Sequence, residues 1–132
     1  MKYKIFSDGA SSGNPGPAGC GYVIYDENGN IVVDESRPLG IATNNVAEYS
    51  GLLYALQKVL TFNPESIEIY LDSELIVKQI KGEYKVKNLV LKEYYDKVNH
   101  LLKNLKYEIK HIPREMNKYA DKLAKNACEV SI

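Results

Sequence analysis

Tryptophan is absent from this 132-residue chain, and cysteine and histidine occur only twice each. Cys20 and Cys128 match neither a metal-ligand spacing nor a disulfide framework, which sets aside thiolate metal chemistry and a stapled secreted scaffold. They read as small buried thiols of a cytoplasmic protein, with a bridge between the two ends of the chain as the alternative. No apolar run approaches the ~20 residues that a membrane-spanning helix requires, and no membrane partner is expected. The start, MKYKIFSDGA, lacks the apolar core and the small-residue cleavage site of a signal peptide. Net charge is missing too: 17 basic and 17 acidic residues cancel, which by itself argues against a polyanionic partner.

What is present is an ordinary globular composition, 45% hydrophobic and 26% charged, in a length that suits one domain over residues 1–132, expected to be a monomer. The charges are unevenly placed. Residues 1–77 carry 4 basic and 10 acidic side chains, and residues 78–132 carry 13 basic and 7 acidic. A basic second half is a hint of a surface for a polyanion, and equally describes solvated helix faces.

Lys2 to Tyr22 organises the chain. Tyr3, Ile5 and Ser7 alternate with Lys4 and Phe6 as in a strand, and the strand runs into Asp8. The glycines and prolines from Gly9 to Gly21 then forbid a helix and favour tight turns. Cys20–Asp26 reads as a second strand, Asn28-Gly29 as a turn and Ile31–Glu35 as a third strand, and Arg37-Pro38-Leu39-Gly40 as a break. Thr43 is a helix N-cap, and the helix runs to about Phe62. Ser66–Leu71 is a strand ending at Asp72, which also suits the N-cap of a short helix, Glu74–Lys81. Asn88 caps a helix to about Lys103, Lys106–Ile112 is the last strand, and Glu115–Glu129 the last helix. The order βββαβααβα predicts an α/β fold: a five-stranded mixed sheet, three strands antiparallel and then parallel crossovers, with helices on both faces.

Parallel strands present their carboxyl ends at one sheet edge, where sites of open α/β folds lie. Asp8 and Asp72 each end such a strand. Glu48 lies in the first turns of one helix, and Asp121 in the first half of another, both starting near that edge. Four acids with no Arg or Lys among them repel strongly, and a hard divalent cation is the usual remedy. Carboxylate ligands without His or Cys suit Mg²⁺, with Mn²⁺ as a substitute, and acid-only clusters of this kind hold paired metals in phosphoryl displacement. Taken singly, each acid is also explained as a turn, cap or exposed helix residue; the joint placement is what matters.

These residues resemble the type 1 ribonuclease H family. The match lies in Asp8 within SDGASSGNPGPAGCG, Glu48 within TNNVAEY, Asp72 within YLDSE and Asp121 within NKYADKLA, in the family's order and across nearly the whole chain. The resemblance implies two-metal hydrolysis of the RNA strand of an RNA–DNA hybrid, leaving 5′-phosphate and 3′-hydroxyl ends, with two ions per site when substrate is bound. It implies that Asp8 bridges the ions, that Asp121 helps hold the one activating water, and that Glu48 and Asp72 hold the one at the leaving oxygen. Asn14, Asn44 and Asn45 match family positions that contact the hybrid in its minor groove, and Thr43 a contact to a DNA-strand phosphate. Two departures stand out. The loop HIPREMNKYAD is short and has no His where many bacterial members carry one, so Arg114 is the nearest substitute, while His111 falls on the last strand and reads as structural. The basic handle between the second and third helices is reduced to GEYKVKN, leaving Lys81, Lys85 and Lys87 for phosphates and Tyr84 for stacking. Weaker hybrid binding and a side activity on double-stranded RNA follow from that. The rival readings are a silent hybrid-binding module, whose signature is loss of an acid, and an exonuclease or junction resolvase of the same fold.

Overall fold

The computed structural model describes residues 1–131. β1 (Lys2–Ser11), β2 (Gly16–Tyr25) and β3 (Ile31–Ala42) form an antiparallel meander. α1 (Asn44–Leu60) leads to β4 (Ser66–Leu71), and α2 (Glu74–Ile80) and α3 (Leu89–Leu102) lead to β5 (Tyr107–His111). A 3₁₀ turn (Arg114–Met116) and α4 (Lys118–Val130) complete the described chain. The sheet order is β3-β2-β1-β4-β5, with β1 parallel to β4 and β4 parallel to β5. This is the expected five-stranded mixed sheet, and it places β1 at its centre. None of the described helices is long and apolar enough to cross a membrane.

The alternation in β1 is realised as read: Tyr3, Ile5 and Ser7 are buried and Lys4 is exposed. Tyr3 and Ile5 join Tyr22 and Ile24 of β2 in a core closed by Tyr49, Leu52, Leu56 and Val59 of α1 and by Leu91, Val98 and Leu102 of α3. The opposite face of β2 takes α4. A Cβ at Gly21 would lie 2.4 Å from the Leu123 Cβ, so the missing side chain lets that helix settle onto the sheet. The small residues Ala120, Ala124 and Ala127 are its buried stripe. Cys20 and Cys128 are buried free thiols, and the Cys128 Sγ lies 2.9 Å from the Pro17 carbonyl oxygen; the bridge does not form.

Three local expectations are corrected. The stretch after Asp8 is mostly sheet: β1 continues to Ser11 and β2 begins at Gly16, leaving only Ser12–Pro15 as the turn. Glycines without side chains can still pair backbone to backbone, and here Ser11 pairs with Ala18. Arg37–Gly40 does not break β3, which runs to Ala42; the Pro38 and Leu39 irregularity is absorbed by a shift of register opposite Ala18 and Gly19. Asp72 is not the N-cap of α2. Ser73 is, with its hydroxyl accepting from the Ile76 N–H. That leaves the Asp72 carboxylate free of a capping role.

Candidate active site

The register that pairs Phe6 with Tyr70 carries Asp8 and Asp72 to the same level at the carboxyl edge of β1 and β4. Glu48 reaches them from α1. The approach is very close: a Cβ at Gly9 would lie 2.2 Å from the Ala47 carbonyl carbon and 2.3 Å from the Glu48 nitrogen. Only glycine lets the strand and the helix backbone meet there. Gly9→Ala is expected to push α1 outward, destabilising the protein by about 2–3 kcal/mol. A thermal melt should show a fall of about 10 °C.

One oxygen from each of Asp8, Glu48 and Asp72 lies within 4.8 Å of the others. Asp8 is buried, and its Oδ1 accepts from the Gly9 N–H at 2.9 Å. Burial first, then the Asp72 charge, push the Asp8 carboxyl up to about 7. Burial and the charges of Asp8 and Asp72 hold Glu48 well above the usual carboxylate range, against the pull of the Arg114 guanidinium. The cluster is thus short of positive charge. Asp121 lies outside the three-oxygen group, in the first turn of α4, and its Oδ2 pairs with Lys125 at 3.0 Å. It still acts on the Asp8 carboxyl, adding to its rise. Three carboxylate oxygens in mutual reach, without imidazole or thiolate among them, are a donor set that fits a hard divalent cation.

The other sequence candidates fall on the β1–β2 turn, the start of α1, the end of β5 and the 3₁₀ turn. Thr43 caps α1 through the Val46 N–H at 3.2 Å. Asn14, at the β1–β2 turn, accepts the Asn44 N–H on its Oδ1 at 3.0 Å, which ties the turn to the start of α1. Asn45 follows in the first turn of the helix. Arg114 is exposed in the 3₁₀ turn and near enough for Glu48 to feel its charge. His111, the last residue of β5, is exposed, so it is no core histidine.

Residues 6–127 match the reverse transcriptase-like family model. Ribonuclease HI of Halobacterium salinarum is 38% identical over 125 residues, covering 94% of this chain and 63% of its own length. The structure of LC11-RNase H1 in complex with an RNA/DNA hybrid superposes with a TM-score of 0.92 at 42% identity, covering 98% of each chain. The chain belongs to the type 1 ribonuclease H family. Bifunctional protein Rv2228c of Mycobacterium tuberculosis is 39% identical over 135 residues, spanning 99% of this chain but 36% of that protein. The chain therefore spans about a third of the length of its mycobacterial relatives, and 63% of that of the halobacterial ribonuclease HI.

Within this ribonuclease H fold, two residues without an expected role sit at the acidic cluster. Gly9 was legible only as a turn glycine, because the helix that crosses it is distant in sequence. Asn117 is buried beside Asp72, with its side-chain Nδ2 donating to the Asp72 Oδ2 at 3.1 Å and to the Ser7 carbonyl at 2.9 Å. Its i, i+4 spacing to Asp121 was the only sequence signal.

Proposed function

We propose that this protein is an endoribonuclease that hydrolyses the RNA strand of RNA–DNA hybrids with Mg²⁺, leaving 5′-phosphate and 3′-hydroxyl ends. The observation that carries the proposal is the convergence of Asp8, Glu48 and Asp72 from β1, α1 and the end of β4 to within 4.8 Å. Asp8, Glu48, Asp72 and Asp121 would hold two ions, which supply an activated water and charge stabilisation at the scissile phosphate. The chain's part is to keep the Asp8, Glu48 and Asp72 oxygens close together with no Lys or Arg ion pair of their own among the described residues, so that a cation is the favourable occupant. Asn14 and Asn44, joined by the Asn44 N–H to the Asn14 Oδ1, and Asn45 next to them in α1 would meet the hybrid, where amides suit the 2′-hydroxyls and base edges of a wide minor groove. Thr43 would meet a phosphate of the DNA strand. Lys81, Lys85 and Lys87 are exposed between α2 and α3 and suit backbone phosphates.

The test is incubation of the protein with an end-labelled hybrid and Mg²⁺ or Mn²⁺, beside an all-RNA duplex. Internal cuts in RNA, lost on chelation with EDTA, are the expected result. Binding without cutting would favour the silent module, and stepwise trimming an exonuclease.

Arg114 is the permanent cation whose charge Glu48 feels, and it would meet a substrate or product phosphate. Arg114→Ala is expected to slow turnover about 10-fold, less than the 10²–10⁴-fold of a group that itself transfers a proton, with a smaller change in hybrid affinity. Steady-state kinetics would separate the two, and an unchanged rate would remove Arg114 from the site.

A further inference from the structure

We infer that Asn117 is a positioning residue for Asp72, whose amide fixes the direction of that carboxylate and so sets the affinity of the acidic cluster for divalent cations. The inference rests on the metal-site reading above. Asn117 is 2% exposed, so its polar atoms must find partners inside the protein. Its Nδ2 finds two, the Ser7 carbonyl at 2.9 Å and the Asp72 Oδ2 at 3.1 Å. Both are acceptors, so only the amino end of the amide suits that side. Its Oδ1 is left buried without a partner.

That combination is hard to explain by packing. A buried acceptor without a hydrogen bond costs stability, and an apolar residue of similar shape would avoid it. Capping does not explain it either. Asn117 stands at the N-terminal boundary of α4 yet makes no side-chain capping bond. An asparagine in the position that usually caps a helix has instead turned its amide toward Asp72.

The residue also joins three acid-bearing elements. It holds the backbone of Ser7, next to Asp8 in β1. It holds the carboxylate of Asp72 beyond β4. Its own carbonyl accepts the Asp121 N–H at 3.0 Å in α4. A movement of any of these elements is felt by the others through one residue. The chemistry of the donor matters as well. A Lys or Arg here would neutralise Asp72 and compete with a metal. A neutral amide orients the carboxylate and leaves its charge for the cation.

The test is a Mg²⁺ titration of the nucleic-acid-free protein, followed by the rise in melting temperature, for wild type, Asn117→Ala and Asn117→Leu. Both variants are expected to need about 10-fold more Mg²⁺ for the same rise, the lower end of the range for partners of metal ligands. Asn117→Leu keeps the branched side-chain shape and removes the orphaned oxygen, which offsets the loss of the donor to the Ser7 carbonyl, so its metal-free melting temperature should fall less than that of Asn117→Ala. The Mg²⁺ concentration for half-maximal cleavage should rise in parallel, with KM for the hybrid unchanged. In an Asp72→Asn background, adding Asn117→Leu should change the Mg²⁺ requirement less than about 2-fold, because the effect passes through Asp72. A folded Asn117→Leu protein that responds to Mg²⁺ as wild type does would overturn the inference and leave the metal site standing. A wild-type protein with no response to Mg²⁺ or Mn²⁺ would overturn both.

Discussion

Asp8→Asn is expected to lower hybrid cleavage by at least about 1000-fold, while leaving the fold and the affinity for the hybrid nearly unchanged. The size follows from what the carboxylate does. Removing one preorganised donor from a reacting centre costs about 10²–10³ in rate. Asp8 is the central anion of the cluster, acted on by Asp72, Glu48 and Asp121 alike, so its loss weakens every pairing at once. Asparagine is nearly isosteric. Its Oδ1 can still accept from the Gly9 N–H, which keeps the end of β1 and its contact with α1 as they are. Single-turnover cleavage of a labelled hybrid at saturating Mg²⁺ reads the loss, and circular dichroism with a binding titration reads the rest. Wild-type cleavage by the variant would leave the proposed chemistry without its anchor.

Much of this site was legible because its acids sit at places that patterns mark. Asp8 follows five residues of clean alternation, Asp72 follows SIEIYL, and Glu48 falls five residues after a capping Thr. Parallel pairing of β1 with β4 then made their convergence a consequence of topology. The errors occurred where backbone contacts overrode local preference. Glycine and proline in Gly9–Gly21 and Arg37–Gly40 signal turns, yet β1, β2 and β3 run through both stretches because each strand has a paired neighbour. Asp72 lost the capping role to Ser73 because a hydroxyl one residue later reaches the Ile76 N–H. The contacts of Gly9 and Asn117 could not have been read. Their importance lies in what they touch, Ala47 and Glu48 in one case and Ser7 and Asp72 in the other, at sequence separations that no periodicity reports.

Without divalent metal, the protein is expected to become more stable as the pH falls from 8 to 5, and saturating Mg²⁺ is expected to flatten or reverse that trend. The Asp8 carboxyl titrates at about 7 in the folded protein and near its ordinary value of 3.8 once unfolded. Between those values the folded state binds the extra proton. Stability is therefore greatest below the unfolded value and is lost as the pH rises through about 7. Glu48 is shifted in the same direction, by burial and by the charges of Asp8 and Asp72, and adds to the slope. A rise of about three pKa units corresponds to about 4 kcal/mol. Over the pH 8–5 window roughly 2–3 kcal/mol of this should be recovered, which a urea titration at each pH can resolve. Asp8→Asn removes one titrating carboxyl and one of the charges that raise Glu48, so its stability should exceed that of wild type at pH 8 and depend less on pH. With Mg²⁺ bound, the cluster is held as anions, protons and metal compete for the same oxygens, and acid no longer helps. A metal-free wild-type protein whose stability falls steadily from pH 8 to 5 would contradict the burial of Asp8 and its crowding with Glu48 and Asp72.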